Sequence, residues 1–288
     1  MVTNRALGRW AATTVVGLLA IGGAGALAQA QSQAHSPSQA GSMSATAAKV
    51  VIGPGYLAGE EPNTILATPQ APAAGDIRDE ADRAVFRQTR ALEGSPRWRL
   101  ATDDAVLSPT SILNDFSCAA GVQLTPQNAP AVMVLLRHMA PDLASAYGLP
   151  KALYKRPRPF LRDPGDICVP RDKNLVDSPD YPSGHATFGW TFGMVLAELM
   201  PDRAAELMAR ARSFGESRAV CGVHSASAVT AARAPASVLF AALQSNPAFR
   251  RDLALAQKNI DTVRAAGPQI SGSGACLAQA SLIAKTPW

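Results

Sequence analysis

A chain of 288 residues with 27 basic and 22 acidic side chains carries a formal charge of +5 and is long enough for one full hydrophobic core. That surplus is too small to argue for nucleic acid, and no basic patch with interleaved aromatics adds to it. The four cysteines, at 118, 168, 221 and 276, are far apart with no CxxC, which excludes a zinc ribbon and a thioredoxin-type motif.

Residues 1–28 read as a secretory signal. Arg5 and Arg9 make a basic start, an apolar stretch follows from about Ala11 to Leu27, and Ala26-Leu27-Ala28 offers small residues for cleavage. The stretch is short and rich in Gly and Ala for a spanning helix, and no later segment reads as one. The expectation is therefore a soluble mature chain starting near Gln29, periplasmic or secreted, with no membrane partner after cleavage. Without Arg5 and Arg9 the balance is 25 basic to 22 acidic residues, a formal +3. In an oxidising compartment two disulfides are expected. Three pairings exist and the spacing does not choose among them; Cys168–Cys221 with Cys118–Cys276 is the set leaned toward.

Residues 29–75 divide into a Gln/Ser/Ala/Gly linker without apolar period, which cannot repay the entropy of ordering, and an extended arm holding Pro54, Pro62, Pro69 and Pro72. From residue 76 the periodicity is helical. One helix is expected over 77–92 with Ala81, Ala84, Val85 and Leu92 on its inner face. A second runs from a cap at Asn128 through Val132, Leu135, Met139 and Leu143 toward Tyr147. A third follows Ser183 with Phe188, Phe192, Val195 and Leu199 at one-turn spacing, stopped by Pro201-Asp202. Others are expected over about 203–218, 225–243 and 247–263. Residues 265–288, with Gly267-Pro268 and Gly272-Ser-Gly274, read as a flexible tail carrying Cys276. No alternating strand run is found, so the fold class is all-α, a helical bundle over 76–264.

Three stretches carry chemistry. Lys151-Ala-Leu-Tyr-Lys-Arg-Pro-Arg158-Pro159 crowds cations into a segment that cannot stay helical past Pro157, and a guanidinium fork between prolines suits phosphate oxygens. Pro-Ser183-Gly184-His185 opens an apolar helix, where first-turn N–H groups, a hydroxyl and a Cβ-free backbone receive an anion with an imidazole beside it. Ser217-Arg218-Ala-Val-Cys-Gly-Val-His224 ends one helix and begins the next, so a short turn can bring guanidinium and imidazole together. His35, in the linker, and His138, beside Arg137, belong to no such pattern. Phe188, Trp190 and Phe192 read as packing.

In that order and spacing, K-x6-RP, PSGH and SR-x5-H resemble the signature of the type 2 phosphatidic acid phosphatase superfamily, and the chain from about Asp76 to Ile260 is similar to the class A bacterial non-specific acid phosphatases. The resemblance implies the helical bundle shared with vanadium-dependent haloperoxidases, and a homodimer. It implies small phosphomonoesters as substrates, inorganic phosphate or vanadate as inhibitors, and hydrolysis without metal or other cofactor. Carried over by residue, Lys151, Arg158 and Arg218 clamp the phosphate oxygens, with Ser183 and the Gly184 N–H adding hydrogen bonds. His224 attacks phosphorus to give a phosphohistidine, and His185 protonates the leaving alcohol.

One position departs from the family pattern, which continues H-x3-D. Here position 228 is alanine, so the carboxylate that would orient His224 and stabilise its positive phospho-form is a methyl group. The expectation is weakened catalysis, by roughly 10² to 10⁴, unless another acid reaches the site. Glu216, Asp177 and Asp180 are the carboxylates nearby in sequence. The alternative reading is a relative that binds phosphate or a phosphoester and does not turn it over.

Overall fold

The computed structural model describes residues 53–288. The signal segment and most of the linker, 1–52, lie outside the described residues. The described part is all-α: α1 (Ile77–Arg90), α2 (Pro96–Asp103), α3 (Pro109–Ala120), α4 (Pro130–Tyr154), α5 (Lys173–Asp177), α6 (Gly184–Leu199), α7 (Ala204–Val220), α8 (Ala226–Ala231), α9 (Arg233–Ser245), α10 (Pro247–Ala266) and α11 (Gly274–Ile283).

The main core lies between α3, α4, α6, α7, α9 and α10, with Phe116, Leu135, Met139, Phe192, Phe214 and Phe249 nearly inaccessible at its centre. The closest packing is between α6 and α7. An ideal Cβ on Gly189 would lie 2.4 Å from the Phe214 ring, and one on Gly193 would lie 2.6 Å from the Ala211 Cβ. Glycines one turn apart on α6 therefore let α7 approach closely, and this seam holds the PSGH segment against the SR-x5-H segment.

The extended arm lies on the body as expected. Asp142 accepts the N–H groups of Tyr56 and Leu57, Thr64 Oγ1 donates to Ala146 O at 2.7 Å, and Tyr181 Oη donates to Pro69 O at 2.9 Å. Disulfides join Cys118 to Cys276 and Cys168 to Cys221. The first ties the C-terminal segment, which carries α11 with Ser273 as its cap where a flexible tail was expected.

Several expectations need correction. The buried residues of α1 are Asp79, Asp82, Phe86 and Thr89, whereas Ala81 and Ala84 face solvent. The inner face is polar because Arg156 and Arg162 meet its carboxylates, Arg156 Nη2 donating to Asp79 at 2.7 Å. Asn128 caps a turn rather than α4, accepting from Thr125 N at 2.8 Å, and α4 takes in Pro141 and runs on past Tyr147 through Pro150 to Tyr154. The single helix expected over 225–243 is interrupted at Ala232, because Pro235 has no N–H to continue the ladder. The joined run Ala226–Ser245 is long and apolar enough to cross a membrane, which the sequence reading overlooked. Here Leu239 and Leu243 from it are fully buried in the main core.

Candidate active site

All the residues singled out by the three stretches gather at one end of the α4–α6–α7 packing. Lys151 is in the last turn of α4, which closes at Lys155 in a left-handed conformation (φ 47°). Arg158 precedes a short 3-10 turn, Pro159–Leu161. Ser183 caps α6, Gly184 and His185 open it, Arg218 lies in the last turn of α7, and His224 immediately precedes Ser225, the cap of α8. The turn between Arg218 and His224 needs a glycine at 222. Its φ is +80°, and a Cβ there would strike the Arg90 guanidinium at 2.6 Å.

A cleft of about 500 Å³ opens here. Lys151, Arg158, Gly184, His185 and His224 form its floor, while Ser183 and Arg218 are fully buried behind that floor. Leu107, Ala140, Leu143, Tyr147 and Phe188 make an apolar wall, so Phe188 faces the cleft and is not merely packing. The opposite rim is mostly polar, with Asp172, Asn174 and Ser178 beside the part-buried Leu175, on and next to α5, a helix with no fully buried residue.

Burial pulls the Lys151 ammonium down to about 7, with help from the Arg158 charge. Burial likewise brings Arg158 and Arg218 to about 10, and these two cations repel each other. Arg158 is braced by carbonyls, donating from Nε to Ser178 O and from Nη1 to Val223 O, each at 2.7 Å, and Lys151 Nζ donates to Pro179 O. Arg218 Nε and Nη1 are buried with no hydrogen-bond partner. Three cations packed together with two guanidinium N–H groups unmet form a site built for an anion.

The start of α6 supplies further donors. The Ser183 hydroxyl accepts from Ala186 N at 3.3 Å, and the Ser183 N–H is committed to Ala228 O at 3.0 Å. The first-turn N–H groups of Gly184 and His185 have no helical acceptor. A Cβ on Gly184 would sit 3.2 Å from the Tyr147 ring, which is a packing reason for glycine at this position beside the anion-binding one.

His224 has a defined tautomer. Nδ1 faces two acceptors, the Asp180 carbonyl at 2.7 Å and the Asp180 carboxylate at 3.1 Å, so Nδ1 carries the proton. Nε2 is then the lone-pair nitrogen, 3.0 Å from Arg158 Nη1. Burial holds the His224 pKa well below the ordinary histidine value, reinforced by Arg158, Lys151 and Arg218. His185 is half-buried and also held well below it, by burial, then Arg218, His224 and Arg158. It donates Nε2–H to Ala105 O at 3.3 Å, which leaves Nδ1 as the nitrogen that titrates.

Asp180 is the residue that sequence reasoning named without placing. Glu216 is held by Arg212 at 2.6 Å, and Asp177 pairs with Lys173 on the exposed face of α5. Ala228 is fully buried, in a small apolar cluster with Tyr181 and Ala231. Ser217, the first residue of SR-x5-H, has a structural place: its hydroxyl donates to Asp104 at 2.5 Å and accepts from Arg97 at 2.9 Å. Among the described residues no group of three His, Cys, Asp or Glu side chains is placed to hold a metal ion.

The profile of the PAP2 superfamily matches residues 131–250, which span both histidines and all three cations. The chain is 40% identical to an acid phosphatase of Zymomonas mobilis subsp. mobilis over 205 residues, 71% of this chain and 77% of that protein. It is 35% identical to a non-specific acid phosphatase of Salmonella typhimurium over 205 residues (70% and 82%) and 35% identical to one of Providencia stuartii over 195 residues (66% and 78%). A buried triple-cation anion site flanked by two histidines on an all-α scaffold, together with these likenesses, shows that the chain belongs to the PAP2 superfamily as a class A bacterial non-specific acid phosphatase.

Proposed function

We propose that the protein is an exported phosphatase that hydrolyses phosphate monoesters through a phosphohistidine. The observation that carries this is the unprotonated Nε2 of His224 at the floor of a cleft, beside three buried cations. A phosphate dianion held by Lys151, Arg158 and Arg218, with Ser183 and the Gly184 N–H, presents phosphorus to Nε2. The N–P bond forms as the ester P–O bond breaks, and His185, protonated, gives its proton to the departing alkoxide. Neutral His185 then takes a proton from water as that water attacks phosphorus and the N–P bond breaks, releasing inorganic phosphate and leaving His224 neutral and His185 protonated for the next cycle. The cations stabilise charge on the three non-bridging oxygens throughout.

This cycle needs His185 protonated while His224 is neutral. Burial is the largest cause of the low His185 pKa, and the Arg218 and Arg158 charges that add to it are the ones a bound phosphate neutralises, so substrate shifts His185 toward its acid form where it is needed. Inorganic phosphate and vanadate, which share the clamp chemistry, are the expected inhibitors. The signal-like N-terminus and the two disulfides support export to an oxidising compartment.

The test is release of nitrophenol from p-nitrophenyl phosphate by the chain from Gln29 onward, between about pH 4.5 and 8 with EDTA present. Alkaline-quench trapping of an acid-labile, alkali-stable phosphoenzyme accompanies it. Turnover and trapped label that both vanish in His224→Ala are expected. Phosphate binding without turnover would instead make the chain a binding relative.

A further inference from the structure

We infer that Asp180 is the carboxylate partner of His224, a positioning residue supplied from the loop before α6 in place of an acid four residues after the histidine. This rests on the phosphohistidine reading above. Two parts of one residue act on the ring. The Asp180 carbonyl, at 2.7 Å, sets the tautomer, and the carboxylate, at 3.1 Å, places a negative charge beside the nitrogen that becomes positive when Nε2 is phosphorylated.

The carboxylate is held by donors alone. Ser225 N donates to Oδ1 at 2.9 Å, Ser225 Oγ to Oδ2 at 2.6 Å, and Arg156 Nη1 to Oδ2 at 3.1 Å. With His224 Nδ1 that makes four donors on one group, a pattern suited to an ionised, acceptor-only carboxylate. Burial raises the Asp180 pKa, and the contacts from Ser225 and the Arg156 and Arg158 charges oppose that rise. Arg156 is itself fixed, with Asp79 at 2.7 Å and Asp82 at 2.9 Å, both on α1. Asp180 therefore cannot turn away from His224 without breaking a buried network.

Alanine at 228 follows from this placement. Its N–H donates to Ser225 Oγ at 3.3 Å, the same hydroxyl that donates to Asp180. An aspartate at 228 would bring a second anion to the edge of a site that already holds one, with Arg156 shared with α1. Two carboxylates that close cannot both stay ionised. Positions 180 and 228 are thus alternative sources of one charge, and the weakened catalysis expected from Ala228 loses its premise.

The experiment compares Asp180→Asn, Asp180→Ala, Ala228→Asp and the double variant Asp180→Ala/Ala228→Asp with the parent chain and with His224→Ala. It measures kcat and KM on p-nitrophenyl phosphate, the rate of phosphoenzyme formation and thermal unfolding. Asp180→Asn keeps the carbonyl and so the tautomer, and loses the charge. A kcat loss on the order of 10²-fold is expected, below the roughly 10⁴ seen when a serine protease loses charge and tautomer together. KM should move by less than about threefold, because the phosphate clamp is intact. The double variant should regain at least roughly tenfold over Asp180→Ala, a rescue that a merely structural role does not give. Ala228→Asp alone should give no gain.

Asp180→Asn with kcat within about threefold of the parent would overturn the assignment, and so would a tenfold gain from Ala228→Asp alone, a measurement that does not depend on the Asp180 variants folding. Undiminished turnover in His224→Ala would remove the phosphohistidine mechanism and the Asp180 role with it, whereas the other failures remove the Asp180 role alone.

Discussion

Substituting Gly189 by alanine adds one methyl group at the point where α6 and α7 touch. The new Cβ would lie 2.4 Å from Phe214 Cδ1, where ordinary contact begins at 3.4 Å, so about 1 Å of separation must be found. Phe214 cannot supply it by turning, because its ring packs against Phe116 at 6.1 Å and under the Arg210 guanidinium at 5.6 Å. Overpacking of this kind costs about 1–3 kcal/mol, and the helix gains back about 0.8–1 kcal/mol when alanine replaces glycine. A net loss of up to about 2 kcal/mol corresponds to a midpoint lower by as much as roughly 4–8 °C for a domain of this size. The effect on activity should be larger than the effect on stability. Gly189 is one turn past the His185 end of α6 and Phe214 one turn before Arg218, so a separation near 1 Å opens the anion site and can lower kcat by about 10²-fold. Circular dichroism melts and p-nitrophenyl phosphate kinetics read both quantities, and Gly189→Ala/Phe214→Leu should recover part of each. Parental kcat together with an unchanged midpoint would refute the claim that this contact sets the spacing of the site.

Four further outcomes follow from the electrostatics and the cross-links. The acid form of His185 is depressed in the free enzyme by burial and by Arg218, His224 and Arg158, and is restored by bound phosphate; the alkaline limb of kcat should therefore lie at higher pH than that of kcat/KM. Burial, and then repulsion from Asp104, raises Asp115 to about 7, so its neutral form is favoured on folding. Its contribution to stability is best below the unfolded carboxylate value near 4, declines as pH rises to about 7 and is level above; Asp115→Asn should raise the unfolding midpoint at about pH 8 and leave it unchanged near pH 4. Replacing the Cys168–Cys221 pair by alanines should cost about 4 kcal/mol on the loop-entropy scale and also lower kcat, since Cys221 lies in the turn that carries His224. Replacing Cys118–Cys276, which ties α11 away from the cleft, should lower stability with kcat unchanged.

The parts of the fold that were legible in the sequence are those with a local signal. The apolar period of α6, the Ser183 cap and the three cation- and histidine-bearing stretches all appear where the residues suggested, and the pairing leaned toward for the cysteines is the one found. The starts of α2 and α3 were also written locally, as Ser95-Pro96 and Ser108-Pro109, a cap followed by proline at the first helical position. They were missed because their inner faces are mixed rather than cleanly apolar. The face of α1 was misread for a physical reason: periodicity arguments assume that burial means apolar, and here Asp79 and Asp82 are buried because Arg156 reaches them from 77 and 74 residues away. The acid beside His224 was hidden in the same way. Asp180 meets it across 44 residues, a distance over which no helical repeat carries information.

The rim formed by α5 has a different standing from the floor beneath it. The floor residues are tied into seams, caps and buried ion pairs, so that a change to one is felt by several elements. The short helix Lys173–Asp177 has no fully buried residue; Leu175 rests part-buried on the small cluster with Cys221 and Val223, and the other ties are the Cys168–Cys221 link before it and the Arg158 and Lys151 contacts to Ser178 and Pro179 after it. Substitution at Asp172 or Asn174, both exposed, can therefore reshape the mouth of the cleft while the reacting groups stay fixed. Selectivity for the alcohol half of the ester can drift in this family member without disturbing its chemistry, which makes the rim an interchangeable part mounted on an unchanging engine.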